Sequence, residues 1–143
     1  MAAATQLKKA TFKHVEAELY AYPDTKREIN KLRQQIMNGT NDDENVGAGR
    51  NSYRTPSRPT EQIATRLMTN KFLRNLEEVA YAIDTVYNSL DPTRQKIIKM
   101  RYWSGRQSAS WERIAMECNL SERSVYNYRK EIIGAIAEKI GWR

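Results

Sequence analysis

Only one cysteine, Cys118, and one histidine, His14, occur in 143 residues. One thiol cannot form a disulfide framework, and the two residues cannot supply a usual zinc site, a Cys-His couple or a Ser-His-Asp triad. No catalytic residue, metal ligand or cofactor site is therefore expected, and Cys118 reads as a small apolar side chain near a helix end. Apolar runs are short. None approaches the ~20 residues that span a bilayer, and the N-terminus carries no signal-peptide core, so a cytoplasmic protein is expected. Strand-like alternation is absent, which leaves an all-α fold. Glycine and proline are scarce as well, six and four, and Gly39, Gly47, Gly49, Pro56 and Pro59 gather in one stretch.

Positive charge is what the chain has in excess. Twenty-four Lys and Arg stand against seventeen Asp and Glu, a net charge of +7, which calls for a polyanionic partner such as nucleic acid or an acidic membrane surface. Between 91 and 143, eleven basic residues meet six acidic ones, so most of the surplus lies there. Hydrophobic residues make up 40% and charged residues 29%, a balance that suits an elongated or partly exposed helical protein.

The stretch 110–140 has the pattern of a helix-turn-helix. Ile114 and Ala115 sit one turn inside a first helix, and the small Ala115 lets a second helix cross close by. Asn119 falls where the chain must turn, and asparagine tolerates the left-handed backbone that ends many helices. Leu120 fills the space between the helices, and Ser121 is a strong N-cap for the second. Val125, Ile132, Ile136 and Ile140 recur at helical spacing as a buried stripe. Arg123, Ser124, Tyr126, Asn127 and Lys130 lie opposite, on the face that suits a DNA major groove.

Upstream, Phe12, Val15, Leu19 and Tyr20 predict a short helix ending near Pro23. Asp24 or Thr25 can cap the next, with Ile29, Leu32 and Ile36 as its stripe and Lys26, Arg27, Lys31 and Arg33 on a solvated surface. Residues 38–59 read as a flexible linker. Its Asp42, Asp43 and Glu44 offer carboxylates to magnesium but more simply solvate the loop. Gly47-Ala48-Gly49-Arg50 lacks the ending of a P-loop. Arg50, Arg54 and Arg58 are spaced as an arm that could follow DNA phosphates.

Thr60, Glu61 and Gln62 start the longest helix, over 60–90. Ile63 and Leu67 give it an early apolar face, and Leu73, Leu76, Ala80, Ile83, Tyr87 and Leu90 form a heptad-like seam. That seam can pair with the helix of Ile29 or with a second subunit. Asp91-Pro92 opens a further helix as N-cap and first residue, running through Ile97, Ile98, Arg101 and Tyr102 to about Ser104-Gly105. The layout is thus an N-terminal helical segment over 1–37, a linker over 38–59, a central helix over 60–90 and a DNA-binding three-helix unit over 91–143.

Two resemblances follow from particular residues. Leu90-Asp91-Pro92, Arg94, Ile97-Ile98, Arg101-Tyr102, Ile114-Ala115, Leu120-Ser121, Ser124-Val125 and Arg129 resemble region 4 of sigma factors, the module that reads the −35 promoter element and touches RNA polymerase. No sigma region 2 accompanies them, which argues against a complete sigma factor. Over nearly the whole chain, Leu19-Tyr20-Ala21-Tyr22-Pro23, Glu28-Ile29, Leu32-Arg33, Gly49-Arg50, Pro59-Thr60-Glu61, Leu76-Glu77-Glu78, Tyr102-Trp103, Trp111, Ile132-Ile133 and Gly141-Trp142-Arg143 are similar to the RinA/ArpU group of phage transcriptional regulators. The resemblance implies a bacterial host cytoplasm and activation of late phage genes for packaging, morphogenesis and lysis. Its implied partners are promoter double-stranded DNA and host RNA polymerase, with no membrane partner.

On this reading Arg123 contacts guanine and Asn127 adenine. Ser121, Ser124 and Tyr126 border a base or a phosphate, and Arg113, Arg129 and Lys130 anchor the backbone. Glu122 sits uneasily there, favouring the helix dipole but repelling phosphate. A symmetric homodimer on half-sites one DNA turn apart is compatible with this arrangement. Two other classes compete: a small terminase subunit, which would carry its DNA-binding helices near the N-terminus, and a nuclease, for which only the acidic cluster at 42–44 speaks.

Overall fold

The computed structural model describes residues 6–38 and 59–143. Among them five α-helices occur and no strand: α1 Lys9–Met37, α2 Pro59–Ser89, α3 Pro92–Arg101, α4 Trp111–Glu117 and α5 Glu122–Ile140, with a 3-10 turn at Gly105–Gln107. The fold is all-α, as the want of strand patterns predicts. No helix among the described residues is long and apolar enough to cross a membrane. Asp42, Asp43, Glu44, the Gly47 to Arg50 run, and Arg54 and Arg58 lie outside the described residues, as do the side chains of Ile63 and Leu67.

The expected break at Pro23 does not occur. One helix of 29 residues, Lys9–Met37, contains it. A proline inside a helix lacks the N–H that would reach the carbonyl four residues back, and the defect costs about 3 kcal/mol or more. Here that carbonyl belongs to Leu19, and the Trp103 indole Nε1–H donates to it at 3.1 Å. A side chain 84 residues away supplies the missing donor. Trp103 is held in place by stacking on Tyr22, with centroids 4.9 Å apart, and by packing against Tyr87 at 4.8 Å. With no helix start at this point, Thr25 is buried inside α1 and Asp24 pairs with Arg27 instead of capping.

Contacts divide the chain into two compact units. In the first, the described residues up to Pro23 join Val79–Arg143. Its single apolar cluster takes Val15, Leu19 and Tyr22 from α1, Val79, Ile83 and Val86 from α2, Ile97 and Ile98 from α3, Ile114 and Ala115 from α4, and Val125, Ile132, Ile133, Ile136 and Ala137 from α5. Each of the valine, leucine and isoleucine side chains among them contributes ~1.5–3 kcal/mol when removed from water. Tyr22 also donates from its hydroxyl to Asp84 Oδ1 at 3.1 Å. Burial, followed by the charge and hydrogen bond of Asp84, pushes that phenol up to about 12.

The second unit, Asp24–Glu78, pairs α1 with α2. Ile29, Leu32 and Leu73 are buried, and Arg33 donates from Nε and Nη2 to Glu77 Oε2 at 2.9 and 2.6 Å. Ile36, at the end of the predicted stripe, is 40% exposed. The predicted α2 seam is broader than drawn. Leu73 and Ile83 are buried, but Val79, Ala82 and Val86 join them, while Leu76, Ala80, Tyr87 and Leu90 are half-buried. A helix set in a globular core buries a stripe at least 100° wide, not the two positions of a coiled-coil seam.

Candidate nucleic-acid interface

Helices α3, α4 and α5 form the candidate site, each started by a recognisable signal. Pro92 occupies the first turn of α3 and Asp91 has the extended backbone of an N-cap, with φ −71° and ψ 165°, yet its carboxylate makes no capping hydrogen bond. It accepts instead from Arg94 Nη1 at 2.9 Å, and that hydrogen bond holds its carboxyl below the usual range. Arg94 reaches further, donating from Nε and Nη2 to Glu131 Oε1 at 3.2 and 2.6 Å and lying 4.0 Å over the Tyr128 ring. Thus α3 is clasped to α5, and Tyr128 is half-buried against the core.

Ser110 caps α4, its Oγ accepting from the Arg113 backbone N–H at 3.1 Å. Ile114 and Ala115 are buried and Cys118 is half-buried at the C-terminal end. Asn119 then takes φ 56°, the only positive φ outside glycine among the described residues. The turn is closed by Leu120 N–H donating to Ala115 O at 2.9 Å and Asn119 N–H to Met116 O at 3.2 Å, the paired bonds of a Schellman motif. Leu120 packs against the core. Ser121 caps α5, its Oγ accepting from Ser124 N–H at 3.0 Å.

Arg129 is placed on the inner side of α5. It donates from Nε and Nη2 to the two carboxylate oxygens of Glu16 on α1, both at 2.8 Å, and its guanidinium lies 5.1 Å from the Trp111 ring and 5.2 Å from Phe12. Tyr102 donates to the same carboxylate at 2.5 Å. Burial alone would raise the Glu16 carboxyl. Hydrogen bonds from Arg129 and Tyr102, with the charges of Arg129 and Arg101, outweigh it and leave Glu16 below its ordinary value. Tyr102, chiefly through burial, and Arg129, through its bond to Glu16, are both shifted up.

Arg101 is spent in a similar way, donating to the Tyr20 hydroxyl at 2.8 Å and to Ala109 O at 3.0 Å. Lys96 donates to Glu117 O at 3.3 Å, at the end of α4. The basic surplus of 91–143 is therefore partly internal structure. Glu16, Trp103 and Trp111 are the determinants that local reading misses. Their partners stand in other helices, and no spacing within one helix announces them.

Of the residues predicted to meet DNA, Arg123, Tyr126, Asn127 and Lys130 are exposed together on α5. Spacings of three, four and seven place them on one face. Lys130 Nζ stands 4.9 Å from the Tyr126 ring centroid. Ser124 is half-buried and takes a hydrogen bond from Ser121 Oγ at 3.0 Å. Arg113 is exposed on α4, donating to Glu117 Oε2 at 3.3 Å. Glu122 is exposed in the first turn, where it complements the helix dipole. Exposed donors at the start of the second helix, over a rigid capped turn, can satisfy base edges and phosphate oxygens.

A family model described as "Protein of unknown function (DUF722)" matches residues 18–138. A curated relative, the transcriptional activator rinA of Staphylococcus phage phi11, is 24% identical over 136 residues, covering 94% of each chain. No solved structure matches the chain. The likeness to RinA-type regulators read from the residues thus has a curated counterpart.

Proposed function

The chain belongs to the family described as protein of unknown function DUF722, and from that premise we propose that it is a phage-encoded, sequence-specific DNA-binding activator of transcription. The observation that carries this reading is the exposed face of α5, where Arg123, Tyr126, Asn127 and Lys130 stand together on the second helix of a helix-turn-helix. The similarity to a phage transcriptional activator points the same way.

With α5 in a major groove, Arg123 offers two parallel donors to guanine O6 and N7, and Asn127 offers a donor and an acceptor to adenine. Lys130 and Arg113 neutralise phosphates, Ser121 and Ser124 border the contact at the first turn, and Arg129 serves it from behind by fixing the rotation of α5 against α1. Arg50, Arg54 and Arg58 act as an arm within the 38–59 linker. The genes served are late ones, and activation engages host RNA polymerase through the segments preceding 91–143, which also carry any homodimer contact. The test is genome-wide footprinting of the full chain in a phage-carrying host, combined with transcript start mapping. Discrete footprints upstream of late transcripts are expected; uniform occupancy without sequence preference would overturn the reading.

A further inference from the structure

Electrostatics does not account for one member of the α5 face. Arg123 and Lys130 suit phosphates or guanine, and Asn127 suits a base edge, but Tyr126 sets a large ring between them, 52% exposed. An aromatic ring left in water forgoes much of the free energy its burial would release. Nor is the ring a loose surface group. Its backbone follows buried Val125 within the turn fixed by the Ser121 cap, and the Lys130 ammonium lies 4.9 Å from its centroid. Among the described residues no group pairs with its hydroxyl. The next cation along the helix, Arg129, is turned inward to Glu16. Beside Glu122 at the first turn, what remains outward is two cations, an amide and an apolar ring, a composition suited to base edges more than to phosphates alone.

In the major groove of unmodified DNA the apolar feature of a base edge is the C5-methyl group of thymine. We infer that Tyr126 is a specificity-determining residue that seats its ring against a thymine methyl group, between the bases read by Arg123 and Asn127. The inference rests on the DNA-binding reading above. Four residues from Arg123 to Asn127 advance roughly 6 Å along the helix, close to two base-pair steps at 3.4 Å each. The methyl-bearing thymine therefore lies within about two base pairs of the guanine read by Arg123.

Full-length protein is used to select a binding site from random duplexes, and each thymine of that site is replaced in turn by deoxyuridine, which removes the methyl group and leaves the hydrogen-bonding edge intact. Wild type is expected to lose about fourfold in affinity at one such thymine, the worth of one buried methyl group. That thymine should neighbour the guanine whose discrimination R123A relaxes. Y126F should keep the methyl sensitivity, and Y126A should bind more weakly and be indifferent to it. An unchanged thermal midpoint for Y126A excludes misfolding. Selective binding with no methyl-sensitive thymine overturns this inference alone, as does sensitivity that persists in Y126A, or Y126F losing as much affinity as Y126A. Absence of any selected site overturns the DNA-binding reading and this inference with it.

Discussion

Replacing Trp103 by phenylalanine keeps an aromatic ring beside Tyr22 and Tyr87 but withdraws the N–H that Leu19 O accepts. The cost is expected to be about 1–2 kcal/mol in chemical denaturation, the penalty of leaving a buried carbonyl without a donor. Pro23→Ala restores a backbone N–H that can reach the same oxygen, so W103F should cost less than half as much in a P23A background. Equal cost in both backgrounds would separate the indole from the proline. Glu16 permits a second test of the same kind. Its folded-state carboxyl lies below the ordinary value of 4.5, so the unfolded chain takes up the proton first as pH falls. The stability it lends is complete above that ordinary value and disappears as pH drops through the lowered folded one. With side chains only 27% and 12% exposed in the Arg129–Glu16 pair, E16Q should cost about 2 kcal/mol at neutral pH. Stability of the variant, measured by urea titration, should decline less steeply through the acid range than that of the wild-type protein.

At the scale of elements, the turn before α5 depends on a conformation that side chains rarely adopt. Asn119 at φ 56° predicts that N119G is neutral or slightly stabilising, whereas N119V loses about 1–2 kcal/mol, with DNA affinity falling alongside thermal stability in the valine variant. This turn, the Ser121 cap, the Asp91-Pro92 start and the buried stripe through Val125, Ile132 and Ile136 are all legible in the sequence, because each depends on neighbours within a few residues. The length of α1 is not. Proline correctly signals a helix end by local rules, and the donor that cancels the signal stands 84 residues away. The α5 face shows the same division. Periodicity separates its outward residues from the core, but Arg129 lies at the border between faces, and only Glu16, 113 residues distant, decides that it turns in. Likewise Asp91 marks a helix start correctly while its carboxylate is taken by Arg94.

For the molecule as a whole, α3, α4 and α5 are not packed by one another alone. Ile97, Ile98, Ile132, Ile133 and Ile136 share one cluster with Val15, Leu19, Val79, Ile83 and Val86. A fragment of residues 91–143 should therefore melt without cooperativity, followed by far-UV circular dichroism, under conditions where the full chain gives a sigmoidal transition. A sharp transition in the fragment would show that the α1 and α2 contributions are dispensable. Helical proteins ordinarily fold fast because their contacts are local, but the Glu16–Arg129 pair is not local. On the ribosome, at ~5–20 residues per second, Glu16 is made roughly 6–23 s before Arg129. Nascent chains halted before residue 129 must hold the carboxylate of Glu16 without its guanidinium, so the helix proposed to read DNA is seated only at a late stage of synthesis.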